Sequence, residues 1–154
     1  MLLTSKKSSV KVESVTIGKI NDYNQKDSFN MGAVMACSAA DTLYTHLKET
    51  NRDISYYDLI LSGDLGLYGK NILVDYMKEK YDITLNNYND CGVMLYDLKT
   101  QKNIYSGGSG PVCSALVINS YIYPKIKNKE LKRVLYIGTG ALFSATSYLQ
   151  KIIF

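Results

Sequence analysis

Cysteine and histidine are scarce in this chain, and their placement excludes several kinds of site. The 154 residues include three cysteines and one histidine. Cys37, Cys91 and Cys113 leave at least one thiol unpaired and show no C-x-x-C spacing, so the sequence indicates neither a disulfide framework nor a zinc site. We therefore expect no metal and no cofactor, and a reducing compartment fits best.

Long hydrophobic runs are absent as well. No window approaches the roughly 18 apolar residues that a membrane span needs, and Met1 to Lys7 lacks the apolar core of a signal peptide. Any work at a membrane would therefore be peripheral. The net charge is +4, and its densest basic run, Lys125 to Arg133, is more typical of a solvated helix end than of a nucleic-acid or membrane patch, although anionic lipid would favour such a surface. We expect no nucleic-acid partner.

What is present is the composition of one ordinary globular domain. Hydrophobic residues make up 46% of the chain and charged residues 21%, and neither an internal repeat nor a low-complexity tract interrupts it. The length suffices for a single core.

The first half of the chain alternates strand and helix patterns. Residues 11–20 place apolar side chains in an imperfect alternation that favours a strand, and residues 30–48 carry apolar side chains at helical spacing, with Asn30 or Ser28 as the N-cap. Small residues along that helix predict close approach to a neighbour. A buried strand at residues 57–62 and a second helix at residues 69–80 follow, and this order implies a parallel sheet with right-handed crossovers.

The second half continues the alternation less clearly. Polar turn chemistry at residues 86–92 precedes a brief strand predicted at residues 93–96. Residues 112–123, with Pro111 at the first helical position, favour a buried helix, while a strand remains the alternative. Residues 133–138 form the clearest strand pattern, expected at the centre of the sheet. Beyond Ser144 the pattern decays, with no glycine turn before a final strand.

Five motifs, taken in order, carry a family resemblance. They are Asn30-Met31-Gly32-Ala33 with Ala39-Ala40-Asp41-Thr42, Tyr57-Asp58-Leu59-Ile60-Leu61-Ser62-Gly63-Asp64-Leu65-Gly66, Asn89-Asp90-Cys91-Gly92, Gly107-Gly108-Ser109-Gly110 and Gly138-Thr139-Gly140-Ala141-Leu142. Together they resemble the C-terminal half of the stage V sporulation protein AD family over residues 10–146. Each motif alone is weak, but their shared order is specific.

The resemblance implies a fold. The family is similar to thiolases and β-ketoacyl-acyl-carrier-protein synthases, which are built from two α/β halves. This chain would supply one half: an N-terminal segment at residues 1–10, a mostly parallel α/β half-domain at residues 11–146 and an atypical tail at residues 147–154, with the final strand missing. A truncated or split reading frame is the simplest explanation, and a lone half would expose the apolar face that the other half covers.

The same resemblance implies that the catalytic positions are empty. Condensing enzymes of this fold use a Cys from the first half and a His and an Asn from loops of the second half. Those loops correspond here to residues 62–65 and 107–110, which contain neither residue, while His46 lies inside a predicted helix. Without an acid and base, condensation is not supported. We expect no catalytic residues and no enzyme activity.

Three thiols remain as candidate nucleophiles. Cys37 and Cys113 lie in apolar helical contexts, where a thiol is usually inert because burial disfavours the thiolate. Cys91 lies in a polar turn that the fold would direct toward the pocket, but the neighbouring Asp90 would raise its pKa. An acyltransferase with an unrecognised nucleophile remains the second hypothesis, and a coding fragment without function the third.

The leading hypothesis is a non-catalytic binding protein. Residues 107–110 form a glycine turn before a helix, whose amides attract anions, although the turn lacks the Lys of a P-loop and the spacing of a dinucleotide fingerprint. The resembled family binds dipicolinic acid and helps to move it into the developing spore with the other stage V sporulation A-operon proteins. The resemblance therefore implies a dipicolinate partner, with or without calcium, at the inner membrane of the forespore. Its pocket would be lined by Gly63, Asp64, Asn89, Asp90, Cys91, Gly108 and Ser109. The alternative for each glycine is that it serves a tight turn and nothing more.

Overall fold

A twenty-residue helix begins the regular structure of this chain, whose computed structural model describes residues 4–25, 27 and 29–141. The elements are α1 Met31–Thr50, a 3-10 turn Ile54–Tyr56, β1 Leu59–Ser62, α2 Gly66–Tyr81, β2 Tyr88–Asp90, α3 Cys91–Met94, α4 Pro111–Val117, a π turn Ile118–Ile122, α5 Tyr123–Lys127 and β3 Val134–Ile137. Both long helices were predicted, as was the helix that Pro111 begins.

The three strands form one parallel sheet in the order β2-β1-β3. In this register Ser62 lies opposite Asp90 on one side and Ile137 on the other. Their carboxyl ends therefore share one edge of the sheet. The predicted α/β fold with a parallel sheet is confirmed for the described residues.

Helices cover both faces of the sheet. Ile60 packs into a core formed with α1 and α2, whereas Leu61, its neighbour on β1, packs against residues of α3, α4 and the π turn. Alternate residues of a strand point to opposite faces, so a short β1 that is apolar throughout is suited to the centre of a three-layer unit.

Two glycines allow α1 and α2 to pack closely. A Cβ at Gly32 would lie 2.3 Å from the Leu65 carbonyl oxygen, and one at Gly69 would lie 2.8 Å from the Gly32 carbonyl oxygen. The predicted close approach of the small-residue helix is therefore confirmed. The Asn30 side chain caps α1 by accepting from the Ala33 amide at 3.2 Å, also as predicted.

Three local predictions are wrong. Residues 11–20 form no strand, because no neighbouring strand in the described structure pairs with them, and Ile17 and Ile20 are 90% and 103% exposed. The short strand lies at Tyr88–Asp90, within the segment expected to be a turn. The strand predicted at residues 93–96 is absent, because residues 91–94 form α3, which the Asp90 side chain caps from the end of β2.

The position of β3 is the third correction. It pairs with β1 alone among the described strands, so it lies at an edge while Leu59–Ser62 occupies the centre. The predicted tail at residues 147–154 and the alternative cap Ser28 lie outside the described residues. Within those described, no helix has the length and apolar character to cross a membrane.

Candidate functional site

Three turns meet at the carboxyl edge of the sheet. They follow β1 (residues 62–66), begin α3 after β2 (residues 90–94) and precede α4 (residues 106–110). Because the strands are parallel, the turns that leave β1 and β2 emerge side by side, and the turn before α4 joins them there. This edge is the usual location of ligand sites in open α/β sheets.

Asp90 holds the first two turns together. Its carboxylate accepts from the Ser62 hydroxyl at 2.6 Å, from the amides of Leu65 and Gly66 at 2.9 and 3.0 Å, and from the Val93 amide at 3.3 Å. The residue is completely buried. A carboxylate of the protein itself thus fills the cradle of amides that the β1–α2 turn and the α3 N-terminus create.

A tyrosine extends this network into the core. The single hydroxyl hydrogen of Ser62 points to Asp90, so the Tyr88 hydroxyl donates to Ser62 Oγ over 2.6 Å. Burial raises the pKa of both Tyr88 and Asp90 above their ordinary values, while the hydrogen bonds that Asp90 receives oppose its shift. The hydrogen bonds from Tyr88 to Ser62 and from Ser62 to Asp90 therefore hold these three side chains of the site in place.

Asp64 connects the turn after β1 to two further segments. Its carboxylate accepts from the Gly110 amide at 2.8 Å, from the Thr139 hydroxyl at 3.3 Å and from the Ser109 hydroxyl at 3.4 Å. It is half-buried. The carboxyl ends of β1 and β3 and the glycine turn before α4 are therefore joined at one carboxylate.

Backbone contact joins the turn at residues 90–94 to the turn at residues 106–110. The Gly108 amide donates to the Gly92 carbonyl at 2.8 Å, and a Cβ at Gly92 would lie 2.4 Å from the Gly108 carbonyl oxygen. Gly107 has a φ of 112°, which favours glycine. At these positions the glycines are required by packing.

The structure brings together six of the seven predicted site residues at this edge: Gly63, Asp64, Asp90, Cys91, Gly108 and Ser109. Asn89 is separate, since its side chain accepts from Lys70 Nζ of α2 at 2.8 Å. Two amides expected to bind an anion already have acceptors within the protein. The Asp90 amide donates to Asn89 Oδ1 at 2.9 Å, and the Gly108 amide donates to Gly92.

Sequence reasoning missed five hydroxyl residues of the site. Ser62 and Tyr88 complete the Asp90 network, Thr139 contacts Asp64, and the Tyr136 hydroxyl donates to Ser114 at 3.0 Å beside it. The rule that parallel strands end at one edge could have found Thr139, because it comes two residues after the end of β3. The contact of Tyr88 with Ser62 depends on a strand that the sequence did not reveal.

The cysteine of this edge is enclosed. Cys91 has no exposed surface, and burial, followed by the charge of Asp90, raises the pKa of its thiol to about 12. Burial also raises the pKa of Cys113, which packs in the same core. Cys91 thus lies at the predicted edge but inside the core, and the sequence correctly predicted the direction in which Asp90 acts.

His46 lies at the other end of the sheet. Its ring nitrogens are 2.8 Å from the Thr16 hydroxyl and 2.7 Å from the hydroxyl of Tyr57, which precedes the amino end of β1. Burial and, secondarily, Arg52 lower the pKa of His46. It is a packed helical residue, as predicted. In the described part of the chain, no group of three or more His, Cys, Asp or Glu side chains is arranged to hold a metal ion.

A groove of about 650 Å³ runs along α1 and β3 and reaches Thr139 at the carboxyl end of β3. Its walls are the N-terminal segment (residues 9–19), one side of α1, and residues 132–140 around β3. Of the seven predicted site residues, none lines it. The groove and the strand-end site adjoin each other at Thr139, which lines the groove and donates to Asp64.

The chain is similar to known sporulation proteins. A family model described as "Stage V sporulation protein AD (SpoVAD)" matches residues 1–153. The curated protein "Stage V sporulation protein AD" of Bacillus subtilis (strain 168) is 41% identical over 142 residues, which cover 92% of this chain. The matched region spans 41% of that relative's length.

Proposed function

This chain belongs to the stage V sporulation protein AD family, and from that membership we propose that it is a non-catalytic binding component for dipicolinic acid in the developing spore. The family's name indicates a role connected with sporulation. In the proposed role the chain acts with other stage V sporulation A-operon proteins and with a first half that completes its fold. It works peripherally at the inner membrane of the forespore.

The observation that carries the proposal is the assembly of the family-like turns at one sheet edge. Asp64 and Asp90 join three sequence-distant turns through side-chain to backbone hydrogen bonds, so the edge is a rigid rim. Rigid, preorganised rims suit binding, because little conformational entropy is lost when a ligand arrives. The half-buried Asp64 carboxylate would favour dipicolinate as its calcium complex over the bare dianion, because calcium takes oxygen ligands.

Two features support a role without catalysis. A condensing reaction needs a thiolate and an acid or base beside it. His46 is hydrogen-bonded at the opposite end of the sheet, and the Cys91 thiol, with a pKa of about 12, is almost fully protonated near neutral pH. The strand-end residues supply hydroxyls and carboxylates that are already paired with one another.

Titration calorimetry with calcium dipicolinate tests the binding role. The ligand is added to the full-length Bacillus subtilis relative and, separately, to this chain. We expect saturable binding by the full-length relative. If its titration gave no heat of binding, the ligand assignment would be refuted. Magnesium dipicolinate and calcium alone serve as the matched controls for the chelate.

Intact-mass measurement tests the alternative of an acyltransferase. The chain is incubated with acyl-CoA, and its intact mass is then measured by mass spectrometry. The expected result is an unchanged mass. A stable adduct on Cys37, Cys91 or Cys113 would contradict the non-catalytic proposal. The unfolded chain, whose thiols are all accessible, is the positive control for reagent quality.

A further inference from the structure

The net positive charge of this chain is concentrated in one short segment. Residues 125–133 contain five cationic side chains and one carboxylate, whereas the other 145 residues contain thirteen cationic and thirteen acidic side chains. The cations of the segment are Lys125, Lys127, Lys129, Lys132 and Arg133, and its carboxylate is Glu130. The rest of the chain is neutral as a whole, so the positive field of the protein is centred on this segment.

The backbone folds this segment into a compact cap at the end of α5. Four amides, those of residues 128–131, donate to carbonyls of residues 124–126 in the last helical turn, at 2.9 to 3.2 Å. Lys129 has a φ of 63°, in the left-handed region where the end of a helix usually has Gly or Asn. These hydrogen bonds hold the backbone of the cap together, and its cations therefore stay close to one another.

The cap lies at the amino edge of the sheet. The amides of Lys132 and Arg133 donate to the carboxylate of Asp58 at 2.5 and 2.9 Å, and Asp58 directly precedes β1. The strand-end site is at the opposite, carboxyl edge, where Gly110 contacts Asp64 just before α4 begins. α4, the π turn and α5 run from that edge to the cap. A partner bound at the cap would therefore leave the strand-end site accessible.

Most of the cations are available to an external anion. Lys125 forms an ion pair with Glu130 at 2.8 Å, so the one carboxylate of the segment is used within it. Lys127, Lys129 and Lys132 are exposed, and none of the three forms an ion pair within the described residues. When Asp58 is counted as well, the cap keeps a net charge of +3.

An exposed aromatic ring borders these lysines. Tyr121 is 52% exposed, and the Lys125 ammonium lies 5.0 Å from the centre of its ring. Tyrosine is enriched at the boundary between lipid and water, because its ring is apolar and its hydroxyl is polar. No Asp or Glu occurs from Leu98 to Lys129, so the helices that lead to the cap carry no charge that a phosphate surface would repel.

We propose that this basic surface docks on a bilayer that contains anionic phospholipid. It consists of Tyr121, Lys125, Lys127, Lys129, Lys132 and Arg133. The inference rests on the proposed function for the location at a membrane, and it names the surface that makes the contact. The docked orientation places the carboxyl edge of the sheet on the side away from the lipid.

The magnitude of the attraction suits a reversible contact. Each Lys or Arg close to an anionic bilayer strengthens binding about fivefold, and the attraction is lost beyond a Debye length of about 8 Å at physiological ionic strength. A bilayer fits this surface better than a nucleic acid does, because nucleic-acid affinity depends on cations that follow the phosphates along a track, whereas these cations are grouped at one helix end.

Co-sedimentation of the full 154-residue chain with lipid vesicles tests the contact. Vesicles of equal parts phosphatidylglycerol and phosphatidylcholine should sediment with the chain at low ionic strength, and vesicles of phosphatidylcholine alone should not. The double variant Lys127→Gln, Lys129→Gln should lower the partition coefficient about 25-fold. Both lysines are exposed, so the variant keeps the packing of the unaltered chain.

The matched control is the double variant Lys99→Gln, Lys102→Gln. It changes the net charge equally, but its exposed lysines lie in the loop between α3 and the turn at residues 106–110, both of which are at the carboxyl edge. Its partition coefficient should stay within about twofold of that of the unaltered chain, because salt screens distant charges.

Five outcomes would overturn the docking surface. The chain might fail to sediment with anionic vesicles, or the two double variants might lose binding equally. Binding that survives high salt would indicate insertion of apolar side chains instead of attraction between charges. Release by inorganic phosphate at the concentration of the lipid phosphate would indicate a site for a soluble anion. Tighter binding of duplex DNA than of vesicles would indicate a nucleic-acid surface.

The vesicle assay contains no dipicolinate, so it is independent of the calorimetric test of the proposed function. If the full-length relative binds calcium dipicolinate but this chain does not sediment, the docking surface is wrong and the ligand assignment stands. If the chain sediments as expected but the relative gives no heat of binding, the ligand assignment fails and the docking surface stands.

Discussion

The Asp90 carboxylate and the Ser62 hydroxyl meet at 2.6 Å, although 28 positions separate them in the chain. They are also register partners across β1 and β2. The same carboxylate accepts hydrogen bonds from three backbone amides, which belong to two different turns. Since Asp90 has no exposed surface, its partners replace water completely. One residue therefore couples sheet register to the geometry of the carboxyl edge.

Replacement of Asp90 by Asn should destabilise the chain. An Asn amide group has one acceptor oxygen and one NH₂, so at least one of the backbone amides that now donate to Asp90 would face another donor. Leaving a buried donor unsatisfied costs about 1–3 kcal/mol, and we expect a loss of about 2 kcal/mol in the free energy of unfolding. Urea denaturation followed by circular dichroism measures it.

Asp97 supplies the control for that substitution. Its carboxylate is exposed and accepts locally from the Lys99 amide at 3.0 Å, so Asp97→Asn should change stability by about 0.5 kcal/mol or less. Ser62→Ala should have an intermediate effect, because it removes a single donor to Asp90. Equal effects of Asp90→Asn and Asp97→Asn would refute the role of the Asp90 carboxylate in holding the turns at residues 62–66 and 90–94 together.

The sequence was sufficient for the long helices and for the meeting of the turns. α1 has an N-cap at Asn30 and apolar side chains at helical spacing, so local chemistry and packing agree. The convergence of Asp64 and Ser109, 45 positions apart, was expected from the family resemblance, because the turn at residues 107–110 follows no strand of the sheet. These predictions needed no knowledge of individual contacts.

The wrong predictions concern segments whose secondary structure is decided by tertiary partners. Residues 11–20 have a strand-like alternation, but a strand forms through hydrogen bonds to a neighbour, and the described chain offers them none. Tyr88–Asp90 has a turn-like composition, yet its backbone pairs with β1 and its polar side chains find buried partners. Anion-binding amides were predicted at residues 107–110, whereas Asp90 accepts from the amides of Leu65, Gly66 and Val93, which residue spacing did not reveal.

A methyl group at Gly92 should disrupt the junction of the turns. The added Cβ would lie 2.4 Å from the Gly108 carbonyl oxygen, a backbone atom that cannot rotate away. We expect Gly92→Ala to lower the free energy of unfolding by about 2 kcal/mol, in the range for overpacked sites. Gly138→Ala is the matched control, because its Cβ would meet nothing nearer than 3.9 Å. If Gly92→Ala left the free energy of unfolding unchanged, the turns at residues 90–94 and 106–110 would be able to move apart without cost.

Thiol labelling should distinguish the cysteines. At pH 8 a thiol with a pKa of about 12 is thiolate in roughly one molecule in 10⁴, and Cys91 is also shielded from reagent. Iodoacetamide should therefore modify the half-buried Cys37 before Cys91 and Cys113, as measured by peptide mass spectrometry. All three should react alike in denaturant. Labelling of Cys91 as fast as Cys37 would restore it as a candidate nucleophile.

The pH dependence of stability should reveal the environment of His46. Burial and the charge of Arg52 lower its pKa below the ordinary value near 6.5, whereas Glu49 opposes the shift. Arg52 Nη1, 3.5 Å from the Tyr57 hydroxyl, occupies a lone pair there, so we assign Tyr57 as donor to Nε2 and Nδ1 as donor to Thr16. A protonated ring would leave the Tyr57 hydrogen without an acceptor.

The sign of the His46 effect follows from linkage. Below pH 6.5 the unfolded chain binds a proton that the folded chain resists, so the contribution of His46 to stability is complete above pH 6.5 and is lost as the pH falls toward its lower folded pKa. His46→Gln keeps a donor and an acceptor without titrating, and should cost about 1 kcal/mol at pH 8. The difference between the two proteins should shrink on acidification to pH 5.5, because every other titrating group is common to both. A difference that stays constant over this range would mean that His46 is solvated in the folded chain and does not hold residues 9–19 against α1.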